Sequence, residues 1–218
     1  ERWCEVQGAE KAARAVGTQQ PFYLAYQEGN HRDLLAAYGR MCAQLMGAWQ
    51  RASNIGTPAP VTRAEIRVGI VSAHVRDHSV WSAIVKGWLQ NLDRGRFDVR
   101  LFHLGKASDV ETALAKTLVT HYTYGKTDAV EWAPLILGHQ LDVLIYPEIG
   151  MDPVTAKLAS LRLAPVQAAS WGHPITSGLP TIDFYFSADA LEPAQADGHY
   201  AERLVRLPGL GCALEPPG

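Results

Sequence analysis

Two histidines four residues apart, His74 and His78, lie in the stretch IRVGIVSAHVRDHSVW, residues 66–81. Imidazole is the side chain that gains and loses a proton near neutral pH, so this pair is the first candidate for chemistry. His78 stands just ahead of an expected helix N-terminus. A positive helix end disfavours imidazolium, so a neutral ring there would accept a proton or a hydrogen bond. A solvated loop histidine is the alternative, and His74 is the lesser candidate. A second polar stretch, GHPITSG at 172–178, brings Gly172, His173, Pro174, Thr176, Ser177 and Gly178 together. Two glycines, a proline and two hydroxyls suit close backbone approach to a ligand and donation of N–H and O–H groups to it. A tight connection would have the same composition. Between these stretches, Glu148 and Asp152 could act as a carboxylate pair or end a loop. His31, His103, His121, His139 and His199 read as surface or packing residues.

These positions need elements to hold them. Ile66, Val68, Ile70 and Val71 form the near-continuous apolar run of a strand covered on both faces. Ser79 is placed to cap the helix that follows, whose Val80, Trp81, Ile84, Val85, Trp88 and Leu89 recur at helical spacing and read as core. Strands and helices then alternate: strands over 97–104, 119–124, 142–146, 166–171, 183–187 and 204–207, and helices over 109–118, 128–137 and 153–163. Pro134 interrupts the second of these helices, and Pro153 opens the third. Alternation of this kind predicts a Rossmann-like, doubly wound α/β fold with a mainly parallel sheet. In such sheets ligands bind at the strands' carboxyl edge, where the loops 72–79, 147–152 and 172–178 all emerge. Before the sheet, residues 1–20 read as weakly helical and 20–26 as a short aromatic segment. A helix then runs from Asn30 to Ala52 with Leu34, Leu35, Tyr38, Met41, Leu45 and Trp49 on one face. SNIGTPAP at 53–60 is linker chemistry. The expected division is therefore a helical preface and linker, 1–60, and an α/β region, 61–218.

Composition removes several classes. The 218 residues carry a net charge of −2, with 47% apolar and 19% charged residues, so no electrostatic case exists for nucleic acid or an anionic membrane. No apolar run approaches the roughly 20 residues of a membrane span. The 3 cysteines, Cys4, Cys42 and Cys212, are far apart and form no CxxC pair. They support neither a zinc site nor a disulfide framework and suggest a cytoplasmic location. GxGxxG, GxxxxGK[ST] and GxSxG are missing, so the dinucleotide, P-loop and serine-hydrolase signals are not there. The chain opens on Glu1 rather than Met and reads as part of a longer polypeptide.

Longer matches carry a resemblance to a known family. RVGIVSAHVRDHSV (67–80) resembles the opening strand and loop of the bacterial SPINDLY-like, protein O-GlcNAc transferase-like enzymes of glycosyltransferase family 41. LDVLIYPEIGMD (141–152) resembles their next strand and loop, and LRLAPVQAASWGHPITSGLPTIDFYFSADALEP (161–193) is similar to their longest pattern. PFYLAYQEGNHRDLLAAYGRM (21–41) resembles the segment that bacterial members carry just before the catalytic region. The resemblance implies the N-terminal half of a GT-B glycosyltransferase, preceded by the tail of a tetratricopeptide region. It implies inverting transfer from a UDP-sugar, UDP-GlcNAc or another, to Ser or Thr of an acceptor protein, without a metal or other cofactor. His78 matches the active-site histidine, Trp171 and Gly172 match positions that contact the sugar, and the loop through Gly178 would close over it. Asp-His-Ser at 77–79 and Glu148 depart from the family pattern. A C-terminal Rossmann-like half would supply most donor contacts, and a surface meant for that half is expected to promote self-association. A non-catalytic interaction domain that keeps the fold, or a sugar-phosphate enzyme sharing only the doubly wound sheet, is the competing expectation.

Overall fold

The computed structural model describes residues 8–213. The expected helix over 1–20 therefore lies partly outside the described residues, as does Cys4. Within them, the helices are α1 (Ala9–Ala15), α2 (Arg32–Ala52), α3 (Lys86–Asn91), α4 (Val110–Thr117), α5 (Ala129–Gly138) and α6 (Pro153–Ala159). The strands are β1 (Ile66–Ser72), β2 (Phe97–His103), β3 (His121–Tyr124), β4 (Val143–Tyr146), β5 (Val166–Ser170), β6 (Phe184–Ala188) and β7 (Arg203–Leu207). The aromatic segment Phe22–Tyr26 forms a 3-10 turn, and a π-type stretch at Trp81–Val85 runs directly into α3.

The 7 strands lie in the order β3-β2-β1-β4-β5-β6-β7, and every neighbouring pair is parallel. The fold is a Rossmann-like, doubly wound α/β sheet, as the alternation requires. Side chains one residue apart on a strand face opposite layers. Val68, Ile70 and Leu101 pack with Val80, Trp81, Val85 and Leu89, whereas Val71 and Phe102 pack with Trp132, Ile136, Leu144 and Leu158. The second layer also takes Ala12, Val16, Cys42, Met46 and Trp49. Preface helices and sheet thus share one apolar core across the linker.

The buried side of α2 differs from the expected one. Leu34 is 59% exposed and Met41 48% exposed, while Leu35, Gly39, Cys42, Leu45, Met46 and Trp49 are covered. The stripe is rotated because it centres on Gly39, where the helix meets the backbone of Gly178. A Cβ on Gly39 would stand 2.2 Å from the Gly178 carbonyl oxygen. A Cβ on Gly178, whose φ is +68°, would stand equally close to the Leu35 carbonyl. Pro134 falls on the exposed face of α5, so the carbonyl it leaves without an amide partner is on the side that water reaches. No helix among the described residues is long and apolar enough to cross a membrane.

Gly39→Ala should force α2 and the 172–178 loop apart. Overpacking of this kind costs about 1–3 kcal/mol, so urea melts of the variant should show the lower midpoint with an unchanged slope. An unaltered midpoint would mean that the two backbones separate freely.

Candidate active site

Strand order reverses between β1 and β4, the switch point at which an open α/β sheet leaves a crevice. The β1 loop, residues 73–78, is fixed there by three neighbours. Asp109, which caps α4, accepts the Asp77 amide at 2.7 Å, and Thr112 donates to the Val75 carbonyl at 2.7 Å. On the following helix the Trp81 indole donates to Glu111 at 2.6 Å. The third neighbour is Glu148, from the loop after β4.

Glu148 is 0% exposed. Its Oε1 accepts from the Ser72 hydroxyl at 2.9 Å, the Ala73 amide at 2.8 Å and His74 Nδ1 at 3.1 Å. Its Oε2 is buried without a hydrogen-bond partner. The His74 ring lies 4.1 Å from the His78 ring, centroid to centroid, with 31° between their planes. The expected cap moves by one residue: the helix begins at Ser79, and His78 Nδ1 accepts the Val80 amide at 3.2 Å while the His78 carbonyl accepts from Ser82 at 2.9 Å. Asp109 causes the shift, because its grip on the Asp77 amide starts the first helical turn before Ser79 can act as cap. Burial, with help from His74 and Arg76 and against the opposing Asp77, holds the His78 imidazole below its ordinary value.

The 172–178 loop divides in two. Gly172 joins the cluster: its amide donates to the Pro147 carbonyl at 3.0 Å, and a Cβ would stand 2.5 Å from that oxygen and 3.2 Å from the Glu148 Cβ. The approach of the β4 and β5 loops alone demands glycine there. Trp171 packs against the core beside it, with its indole N–H buried and unpartnered. Contacts therefore run from His78 through His74 to Glu148, and the adjoining Pro147 carbonyl holds Gly172. The remaining residues face the preface. His173 stacks on Phe22 at 5.1 Å and donates from Nε2 to the Phe22 carbonyl at 3.2 Å, and burial lowers its basicity. The hydroxyls expected to reach a ligand, those of Thr176 and Ser177, are bound to the carboxylate of Glu202. Gly178 packs on α2, and exposed Pro174 borders a groove of about 250 Å³ with Asn30, His31, Leu191 and Tyr200. Asp152 caps α6 by accepting from the Thr155 amide at 2.8 Å, so it forms no carboxylate pair with Glu148.

Position alone would have promoted two residues. His103 ends β2 at the same edge as the β1 loop and is fully buried; Nδ1 meets the Tyr122 hydroxyl at 2.7 Å and Nε2 has no partner. Burial chiefly, then the positive charge of Lys116, pushes its imidazole down to about 4. Glu148, close behind the end of β4, is the other. Among the described residues, no group of three or more His, Cys, Asp or Glu side chains is placed to hold a metal ion. A cavity of about 610 Å³ between the 53–59 linker, Pro134, Leu141 and Leu163 opens at the opposite, amino edge of the sheet. Large apolar groups are exposed near the strands' carboxyl ends, at Val110, Tyr124, Leu191 and Leu210.

The fold is a Rossmann-like α/β unit with a crevice at its switch point. The chain is similar to SPINDLY and O-GlcNAc transferase-like proteins, as its motifs led us to expect. A probable UDP-N-acetylglucosamine–peptide N-acetylglucosaminyltransferase SPINDLY of Arabidopsis thaliana is 29% identical over 194 residues, which is 85% of this chain and 20% of the plant protein. Its counterpart in Oryza sativa subsp. japonica is 30% identical over 205 residues, 90% of this chain and 22% of the relative. A UDP-glucose:protein N-beta-glucosyltransferase of Actinobacillus pleuropneumoniae serotype 7 (strain AP76) is 36% identical over 66 residues, 30% of this chain and 10% of that protein. The solved structure of a Thermobaculum terrenum O-GlcNAc transferase mutant superposes with a TM-score of 0.66 at 24% identity, over 86% of this chain and 39% of that one, and shows the shared fold. The chain spans about a fifth of the length of the plant relatives. No protein-family model matches.

The buried His103 gives stability a pH dependence. Its folded value of about 4 lies below the ordinary 6.5, so between the two the unfolded chain binds a proton that the folded one does not. Stability is thus complete above about pH 6.5 and falls as the pH drops toward 4, by roughly 3 kcal/mol at most. His103→Phe should flatten this slope in urea titrations at pH 7 and 5. An identical slope in the variant would remove His103 as its source.

Proposed function

We propose that this chain is the N-terminal half of a GT-B glycosyltransferase, one that moves a sugar from a UDP-sugar to Ser or Thr of an acceptor protein with inversion at the anomeric carbon. The observation that carries the reading is the run of contacts from His78 through His74 to Glu148 at the switch point, where the β4 loop also holds Gly172 of the β5 loop. Support comes from the similarity to proteins whose names specify UDP-N-acetylglucosamine or UDP-glucose as donor and a peptide or protein as acceptor. In this reading the acceptor hydroxyl attacks the anomeric carbon as its bond to the diphosphate oxygen breaks. His78 lies beside the reacting atoms, and Trp171 and Gly172 line the sugar. No metal or other cofactor takes part. A second Rossmann-like half grips the diphosphate and closes over the carboxyl edge, where Val110, Tyr124, Leu191 and Leu210 await cover. A cytoplasmic location fits this reading, as does self-association of the half when it is alone.

Removing one wall of such a cleft removes charge stabilisation and positioning, each typically worth several kcal/mol, on the order of a thousandfold in rate. The isolated chain should therefore transfer no measurable sugar from radiolabelled UDP-GlcNAc or UDP-glucose, and calorimetry should detect weak UDP binding at best. The longer natural polypeptide that carries it should turn over. Turnover or micromolar UDP binding by the isolated chain would refute the need for a second half. A natural polypeptide inert toward both donors would favour the non-catalytic interaction domain.

A further inference from the structure

We infer that His78 serves this site as a hydrogen-bond donor through Nε2, and that Glu148 and His74 are the positioning residues that hold it in that role. The inference deepens the reading above and depends on it for the identity of the substrate, though not for the geometry. A neutral imidazole has one nitrogen that donates and one that accepts. At His78 the accepting nitrogen is already used: Nδ1 takes the Val80 amide at the start of the helix, at 3.2 Å. The proton consequently resides on Nε2, which makes no hydrogen bond to any described residue. A ring poised as a base would need its free lone pair on Nε2. That would put the proton on Nδ1, N–H against N–H, at the positive end of a helix.

The surroundings oppose the two ways out of this state. Gaining a second proton is disfavoured by burial and by His74 and Arg76, with only Asp77 on the same loop pulling the other way. From the other packed elements, Asp109 of α4 meets the loop through the Asp77 amide, and His103 stands at the end of β2. Turning the ring about its Cβ–Cγ bond, which would carry Nδ1 away from the Val80 amide, is opposed by the His74 ring 4.1 Å away. His74 is itself fixed by its Nδ1 on Glu148, at 3.1 Å, and Glu148 by the further donors Ser72 and Ala73. The carboxylate acts on His78 only through His74, by setting the face on which that ring rests. His78 therefore keeps one proton throughout a displacement at the anomeric carbon. It can hold an oxygen of the substrate in place, and it does not itself take up the proton of the attacking hydroxyl.

The test reads nitrogen states directly and needs no sugar donor, so its result stands apart from that of any transfer assay. The chain is labelled with ¹⁵N-histidine, and two-bond ¹H–¹⁵N correlation spectra are recorded across pH 5–9, with His78 assigned from the signals lost in His78→Asn. Neutral His78 should show a protonated Nε2 and an unprotonated Nδ1, with a titration midpoint below the ordinary imidazole value. His74→Ala should bring the two nitrogen shifts toward each other, as the ring becomes free to leave the Val80 amide and both tautomers are populated, and raise the midpoint. His74→Phe, which restores the ring face without a charge, should recover the single state. Glu148→Ala should reproduce that convergence. A protonated Nδ1 in the wild type, or a His74→Ala spectrum with the wild-type nitrogen pattern, would overturn the assignment. Those two spectra decide it even if Glu148→Ala does not fold.

Discussion

One oxygen atom, Oε1 of Glu148, joins the two strands between which the sheet changes direction. A carboxylate without solvent contact persists only where donors replace its lost hydration. Here they are a hydroxyl, a backbone amide and an imidazole, drawn from three successive residues at the end of β1. The bond holds the end of β1 and the His74 ring against which His78 rests. The same device recurs along the edge. Asp109 joins the β1 loop to the start of α4, and Glu202 joins the β5 loop to the approach of β7. Acidic side chains that each tie one loop to another element give an edge made of connections the order of a built surface.

Much of this was legible from pattern. Branched apolar runs, helical apolar spacing and proline at the start of α6 place the strands and helices close to where they fall, because each signal is local. The errors have non-local causes. The buried side of α2 is rotated because a glycine in a distant loop sits against it, and the helix after β1 starts early because Asp109 holds the residue before it. Neither contact leaves a mark on the apolar spacing. His103 looks like an ordinary packing residue, and Glu148 like a partner of Asp152 rather than of the end of β1, until the topology brings their strand ends beside β1.

The longest family-like stretch, 161–193, is instructive in another way. Arg162 pairs with Asp183, whose carboxylate also takes the Gln167 amide. The Gln167 side chain bonds Leu163, Leu161 and Thr181, while Thr181 donates to the Ala159 carbonyl. Thr176 and Ser177 are spent on Glu202. Most polar residues of the stretch thus bind one another and build the β5–β6 corner. What reaches the crevice is a short piece around Trp171 and Gly172. Likeness in such a stretch reports a shared framework more strongly than a shared set of contacts to a ligand.

The meeting of Gly39 with Gly178 carries a mechanical meaning. Where two backbones touch with no side chain between them, there is no rotamer to yield and no soft layer to absorb a displacement. A displacement of α2 at Gly39 therefore meets the Gly178 backbone directly, at the far end of the loop that begins with Gly172.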